Sequence, residues 1–129
     1  MITFAYTILY VADVEQAIAF YEKAFGFKRK FVMEDYGELL TGNTTLSFAT
    51  TTLARSNFSE DFIESNLANK PFGIEIAFAT DNVQATYDHA ILSGATPVAA
   101  PSFKPHGQTV AYLRDLDGFL IEICTPMGA

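Results

Sequence analysis

The sequence has only one cysteine, Cys124, so no intrachain disulfide can form. It has no run of about 18 apolar residues, which argues against a membrane-spanning helix. The first residues also lack the basic segment and apolar stretch of a signal peptide. These absences predict a cytoplasmic protein without a membrane partner.

Basic residues are scarce as well. Lys and Arg total 8 against 15 Asp and Glu, and the formal net charge is −7. A chain of this charge repels the phosphate backbone, so nucleic acid is not an expected partner. The charge favours solubility, and a second interpretation is that it attracts a cationic ligand.

Apolar residues are abundant. They make up 50% of the 129 residues, with 12 Phe and 6 Tyr, which is enough for the core of a single domain. The order of elements predicts an α+β protein, with a first repeat over residues 1–50, a linker with at most one short helix over residues 51–70, and a second repeat over residues 71–126.

The first repeat reads as strand, helix and three strands. Asp13 with Gln16 three residues later is typical of a capping box, and Gly26 predicts the end of the helix. The predicted strands are Ile2 to Val11, Phe27 to Met33, and a hairpin of Tyr36 to Leu40 and Thr44 to Thr50.

The second repeat shows the same order. Asp81-Asn82 predicts a helix start and Gly94 its end. The predicted strands are Gly73 to Thr80, Thr96 to Ala100, and a hairpin of Thr109 to Arg114 and Phe119 to Cys124.

The two halves align with one another. Residues 6–14 match residues 75–83, and residues 46–48 match residues 121–123. A βαβββ unit has one apolar sheet face that it cannot bury alone. We therefore predict two βαβββ repeats that form an open, curved mixed sheet, a half-barrel, with helices on its outer face and a concave cleft suited to a ligand.

Three stretches carry a family resemblance. Residues 10–21 with the following Gly26, residues 72–78 and residues 114–123 resemble the glyoxalase/bleomycin-resistance/dioxygenase superfamily, also called the vicinal oxygen chelate superfamily. The resemblance spans nearly the whole chain. It implies the repeat fold but no single reaction, because this fold hosts lyases, dioxygenases, isomerases, thiol transferases and drug-binding proteins of antibiotic resistance.

The resemblance also implies a set of site positions. Metal-dependent relatives place one ligand, usually His or Glu, on the first and last strand of each repeat. The matching positions here are Tyr6, Ser47, Glu75 and Glu122. Neutral Tyr and Ser oxygens are poor metal ligands, and two carboxylates suit a weakly held hard cation better than zinc. We expect no tightly bound metal or other cofactor, with Glu75 and Glu122 as ligands if a divalent ion binds.

Glu75 lies in an otherwise apolar strand, and an isolated buried charge is costly, so it should have a partner. One interpretation is a pocket carboxylate that binds a cation or acts as a general base. The other is a structural carboxylate hydrogen-bonded to Tyr6 or to backbone. Glu122 faces away from Ile121 and Ile123, toward the cleft or solvent.

His106 lies in a loop that enters the last hairpin, where contact with a ligand at the rim of the cleft is one interpretation and a plain loop residue the other. We predict a ligand-binding set of Tyr6, Ser47, Glu75, His106 and Glu122.

Two functions remain open from the sequence. One is a homodimeric binding protein of the bleomycin-resistance kind, which holds a small molecule without a tightly bound metal. The alternative is a glyoxalase-like lyase or isomerase that uses a weakly held divalent metal or Glu75 as general base.

Overall fold

A computed structural model describes residues 1–127 and divides the chain into two compact units, Met1–Glu64 and a second unit that begins at Ser65. Each unit contains one helix between its first two strands and a four-stranded sheet.

The first unit forms a mixed sheet in the order β1-β4-β3-β2, in which β1 and β4 are parallel and the other neighbours antiparallel. Its elements are β1 (Tyr6–Val11), α1 (Val14–Phe25), β2 (Lys28–Val32), β3 (Tyr36–Leu40), β4 (Thr45–Thr50) and α2 (Thr51–Asn57).

The second unit repeats this topology, with the order β5-β8-β7-β6 and a parallel β5–β8 pair. Its elements are β5 (Glu75–Ala79), α3 (Val83–Leu92), β6 (Thr96–Phe103), β7 (Thr109–Arg114) and β8 (Leu120–Cys124). The predicted α+β fold of two βαβββ units with open mixed sheets is confirmed.

Strand register shows how closely the units correspond. Tyr6 on β1 lies opposite Thr45 on β4, and Glu75 on β5 lies opposite Leu120 on β8. Tyr6 and Glu75 therefore occupy equivalent positions. Ser47 and Glu122 are equivalent too, since each lies two residues further along the partner strand.

Helix α1 begins and ends where its sequence indicates. The Asp13 carboxylate accepts a hydrogen bond from the Gln16 amide at 2.8 Å, which satisfies a donor in the first turn. Gly26 adopts the left-handed conformation at φ 76° and donates its N–H to the Glu22 carbonyl. A residue with a Cβ is strained in that conformation, so glycine suits this end.

Helix α3 is capped by one residue of the predicted pair. The Asn82 side chain accepts a hydrogen bond from the Ala85 amide at 3.0 Å. Asp81 precedes the cap, and Gly94, at φ 114°, follows the end of the helix.

Two strand boundaries differ from the prediction by more than two residues. Strand β1 begins at Tyr6 rather than Ile2, because its parallel partner β4 begins only at Thr45. Strand β6 continues past Ala100 to Phe103. The proline at position 101 does not stop β6, because β6 is the edge strand of its sheet and needs hydrogen-bonding groups on only one side.

The predicted linker is largely built into the two units. Its first residues form α2, and Phe62 packs its ring 4.9 Å from Tyr10 in the first unit. In the second unit, the Arg114 guanidinium donates hydrogen bonds to the carbonyls of Asn66 and Asn69. Residues 65–69 are thereby held against the β7–β8 turn.

Helix α1 covers one face of the first sheet. The Tyr21 ring lies 5.2 Å from the Phe48 ring, and both side chains are fully buried. Gly37 on β3 is the point of closest packing, since a Cβ added there would lie 2.6 Å from Ile18 Cδ1. None of the helices within residues 1–127 has the length and apolar character needed to cross a membrane.

Gly37→Ala tests this helix–sheet contact. The added methyl group would also lie 3.1 Å from Val14 Cγ1 and 3.2 Å from the Phe31 carbonyl oxygen, so at least the Ile18 side chain must shift. We expect the free energy of unfolding to fall by about 1–3 kcal/mol, the usual effect of overpacking. Urea denaturation measures it. Gly73→Ala is the matched control, since nothing lies within 4 Å of its added Cβ; equal losses in both variants would contradict the contact.

Candidate functional site

Each sheet has a second face, turned away from its βαβ helix, which we call the far face. In the second unit, Ile121 and Ile123 of β8 are fully buried on the side of α3. Side chains alternate along a strand, so Glu122 between them points to the far face. Glu75 of β5 and Tyr112 of β7 share this face by the same alternation and strand register.

Glu122 and Tyr112 are direct neighbours. They are opposite each other on β8 and β7, and the Tyr112 hydroxyl donates a hydrogen bond of 2.8 Å to Glu122 Oε1. Hydrogen bonding to Glu122 and partial burial raise the pKa of Tyr112 to about 12, so the phenol is a hydrogen-bond donor throughout the neutral range.

Glu75 is the second carboxyl group of this cluster. Partial burial raises its pKa above the ordinary 4.5, and a hydrogen bond to Glu122 and repulsion from that carboxylate raise it further. As expected, Glu75 has a partner, which is Glu122; the Glu75 side chain is exposed, because β5 is an edge strand.

Cys124 lies on the same face at the end of β8. Burial raises the pKa of its thiol, and the carboxylates of Glu122 and Glu75 add to the shift. The thiol is therefore neutral at pH 7, and its Sγ lies 3.7 Å from the Phe78 carbonyl oxygen. A neutral, hydrogen-bonded thiol is not an activated nucleophile.

The far face of the first sheet carries the other two predicted positions. Tyr6 is exposed, whereas Ser47 is fully buried and its hydroxyl lies 3.4 Å from the Thr7 carbonyl oxygen. The structure thus presents only one of these two side chains to solvent.

A carboxylate that the sequence reasoning missed lies beside Ser47. Glu38 is opposite Ser47 on β3, is only 6% exposed, and accepts a hydrogen bond of 2.8 Å from the Tyr36 hydroxyl. Burial raises the pKa of Tyr36, and Glu38 also contributes to the increase. The sequence did contain a signal for this residue. Side chains alternate along the strand Tyr36–Leu40, so Tyr36 and Glu38 share one face and the apolar Leu39 lies on the other.

His106 is held within its own loop. Its Nε2 lies 2.8 Å from Gln108 Oε1, and Gln108 Nε2 donates to the Thr125 carbonyl at 2.7 Å. Because that amide nitrogen donates to a carbonyl, the Gln108 oxygen must accept, so the proton lies on His106 Nε2. The ring is exposed and is fixed by Gln108 rather than by the carboxyl pair.

Metal ligands are few on both faces. Within residues 1–127, no three His, Cys, Asp or Glu side chains are grouped so that they could hold a metal ion. The two carboxyl groups of Glu75 and Glu122 are the available oxygen donors of the second far face. Two carboxylates fit a hard cation such as Mg²⁺ or Mn²⁺ and would leave most of its coordination to water or substrate.

Comparison with known proteins places this geometry in context. A family model described as glyoxalase-like domain matches residues 4–128 of the sequence. No curated protein matches the chain.

Several solved structures share the fold. A glyoxalase-related enzyme from Fulvimarina pelagi has a TM-score of 0.85 at 20% identity, over 100% of this chain and 94% of that chain. A glyoxalase/bleomycin resistance protein/dioxygenase family enzyme from Burkholderia phytofirmans PsJN has a TM-score of 0.76 at 22% identity, with 94% and 96% covered. A glyoxalase/bleomycin resistance protein/dioxygenase from Nocardioides has a TM-score of 0.72 at 16% identity, over 100% of this chain and 87% of that chain. At these identities the likeness establishes the fold.

The raised pKa of Glu75 predicts a pH-dependent stability. The native state holds the Glu75 proton more tightly than the unfolded state, and this tighter binding stabilises the fold. The stabilisation is complete below the unfolded pKa of 4.5 and is lost as pH rises through the native pKa. From about pH 4 to about pH 7, we expect the wild type to lose unfolding free energy relative to Glu75→Gln, as measured by urea denaturation. Asp88→Asn, an exposed acid on α3, is the control. Parallel pH profiles for wild type and Glu75→Gln would refute the carboxyl coupling.

Proposed function

Because the chain belongs to the glyoxalase-like domain family, we propose that it binds a small molecule on the far face of its second sheet, through Glu75, Glu122 and Tyr112, without a tightly bound metal. The observation that carries this proposal is the pairing of two coupled carboxyl groups with a phenol donor on a sheet face that no helix of its βαβ unit covers. The proposal is independent of any one reaction of the family.

The chemistry of these groups favours a ligand with a cationic or hydrogen-bond-donating group. Glu122 Oε1 accepts from Tyr112, and Glu75 and Glu122 share a hydrogen bond; each carboxyl oxygen has two lone pairs, so the pair can still accept from a ligand. The net charge of −7 attracts a cation over a longer range. His106, which is exposed in the same unit, is a proposed additional contact, and the roles predicted for Tyr6 and Ser47 of the first unit stay predictions.

A second candidate is a lyase or isomerase that moves a proton. The raised pKa of Glu75 favours it, because a carboxyl group whose pKa lies nearer to neutrality is a better general base than an ordinary one. Ionised Glu75 would take a proton from a carbon acid, and Tyr112 would stay protonated as a donor. A weakly held divalent ion, if bound by Glu75 and Glu122, would polarise a substrate oxygen.

A homodimer in the cytoplasm is the assembly that we propose. Edge strand β6 exposes Val98 and Phe103, and apolar edge strands tend to be covered by another chain. Sedimentation at micromolar concentration should give a species near twice the 14.2 kDa chain mass. A species of single-chain mass at all accessible concentrations would contradict the proposal.

A thermal-shift screen of divalent metals, glutathione adducts and antibiotics tests the binding proposal, since a ligand of the folded state raises Tm. For any compound that raises Tm, we expect Glu75→Gln to lose the shift while its own Tm stays near that of the wild type. Tyr112→Phe should weaken binding by about 1 kcal/mol, the value of one hydrogen bond. Asp88→Asn is the control.

Metal analysis of the dialysed protein tests whether the chain lacks a tightly bound metal. Under the metal-free proposal, no stoichiometric zinc remains. Zinc that survives dialysis, and is lost in the Glu75→Gln/Glu122→Gln double variant, would contradict it. A variant that is destabilised yet binds its compound normally would remove Glu75 from the site.

A further inference from the structure

Residues 58–64, which we call the strap, follow helix α2 in the first unit and lie outside every helix and strand. The strap carries exposed apolar side chains, among them Phe58 and Ile63. A segment that belongs to no helix or sheet depends on its side-chain contacts for its place, so the strength of these contacts decides whether it stays closed.

Arg55, near the end of α2, binds the strap at three points. Its Nε donates to Asp61 Oδ1 at 3.0 Å, its Nη1 donates to Glu64 Oε1 at 2.7 Å, and its guanidinium carbon lies 4.6 Å from the centroid of the Phe62 ring. One planar guanidinium can make two ion pairs and a ring contact at once, whereas a lysine ammonium has neither the fork nor the flat face. We call Arg55 the clasp.

The Phe62 ring contacts the sheet as well as the clasp. It lies 4.9 Å from the Tyr10 ring at an interplanar angle of 57°, and 6.0 Å from the Phe58 ring. Leu9 lies opposite Phe48, on the side of α1, so the neighbouring Tyr10 points to the far face. The strap therefore covers the Tyr10 end of the first far face.

The residues that follow, 65–69, are held more firmly by the second unit. Arg114 is only 9% exposed, and its guanidinium donates to the Asn66 and Asn69 carbonyls at 3.0 and 2.8 Å. A Cβ added at Gly118 would lie 2.7 Å from the Asn66 carbonyl carbon, so segment and turn are in close contact. Buried charge-assisted hydrogen bonds are strong and little screened by salt.

The clasp, in contrast, is open to solvent. The side chains of Arg55, Asp61 and Glu64 are 41%, 76% and 45% exposed. Exposed ion pairs each contribute little, and dissolved salt weakens them further. The contacts that close the strap are thus weaker than those that hold the residues after it.

We propose that residues 58–64 form a releasable cover on the Tyr10 end of the first far face, with Arg55 as the clasp and Phe62 as the covering ring. When the clasp opens, Phe62 leaves Tyr10 and this part of the face becomes accessible, while residues 65–69 stay bound to the second unit. Access then depends on ionic strength. This inference does not depend on the function proposed for the second sheet.

Chymotrypsin measures the opening, because it cleaves after aromatic residues of accessible segments, and cleavage after Phe62 follows the population of the open strap. On the full chain at low salt, we expect Arg55→Ala to raise the rate of this cleavage about five-fold or more, from the loss of two exposed ion pairs and a cation–π contact. Arg55→Lys should behave similarly, because lysine keeps the charge but not the fork. Glu60→Gln, an exposed acid of the same strap, is the matched control and should leave the rate unchanged.

Salt gives a second measurement. NaCl at about 1 M, where the Debye length is about 3 Å, should raise cleavage of the wild type and leave Arg55→Ala nearly unchanged. In the ¹⁵N-labelled protein, Arg55→Ala should lower the backbone order parameters of residues 60–64 toward about 0.6, while residues 66–69 keep values near about 0.85.

Urea denaturation distinguishes opening of the strap from unfolding, and we expect Arg55→Ala to keep a midpoint near that of the wild type. If its midpoint falls, Asp61→Asn/Glu64→Gln replaces it, since this variant opens the clasp and leaves α2 intact. Wild-type cleavage rates in the variant with the open clasp would overturn the proposal. So would an equal rise in Glu60→Gln, or an equal loss of order in residues 60–64 and 66–69.

Discussion

The one-sided cover of each sheet by its helix determines where chemistry can occur in this protein. Helix α1 packs on the face that carries Phe48, and the helix of the second unit packs on the face that carries Ile121 and Ile123. Because side chains alternate along a strand, every second residue is committed to this apolar contact. The remaining positions form the far faces, and the carboxyl groups of Glu38 and Glu122 lie there.

The two βαβββ units share a backbone topology, but they carry different residues at equivalent sheet positions. Equivalent positions hold Tyr6 and Glu75, Ser47 and Glu122, and Glu38 and Tyr112. A sheet position fixes only where a side chain points, so the acid lies on β8 in the second unit and on β3 in the first without loss of the fold.

Sequence reasoning predicted features that depend on local chemistry. Helix α1 could be predicted from Asp13 and Gly26, because a cap and a left-handed glycine act within one turn. It failed where distant pairing decides the outcome. The start of β1 depends on where β4 begins, and the exposure of Glu75 depends on its place in an edge strand. Glu38 was missed because a glutamate on a half-apolar strand reads as solvated until its neighbours are known.

The number of carboxyl groups and their charged neighbours, more than the tyrosine donors, distinguish the two faces. On the second sheet, the phenol of Tyr112 donates to Glu122, and the pKa of the neighbouring Glu75 is raised. On the first sheet, Tyr36 donates to a single carboxylate, and Lys30 supplies the compensating charge. Two neighbouring carboxyl groups favour a proton on one of them, because both cannot ionise without repulsion. The same fold thus carries two carboxyl groups and a phenol donor on one far face, and a single carboxylate beside a lysine on the other.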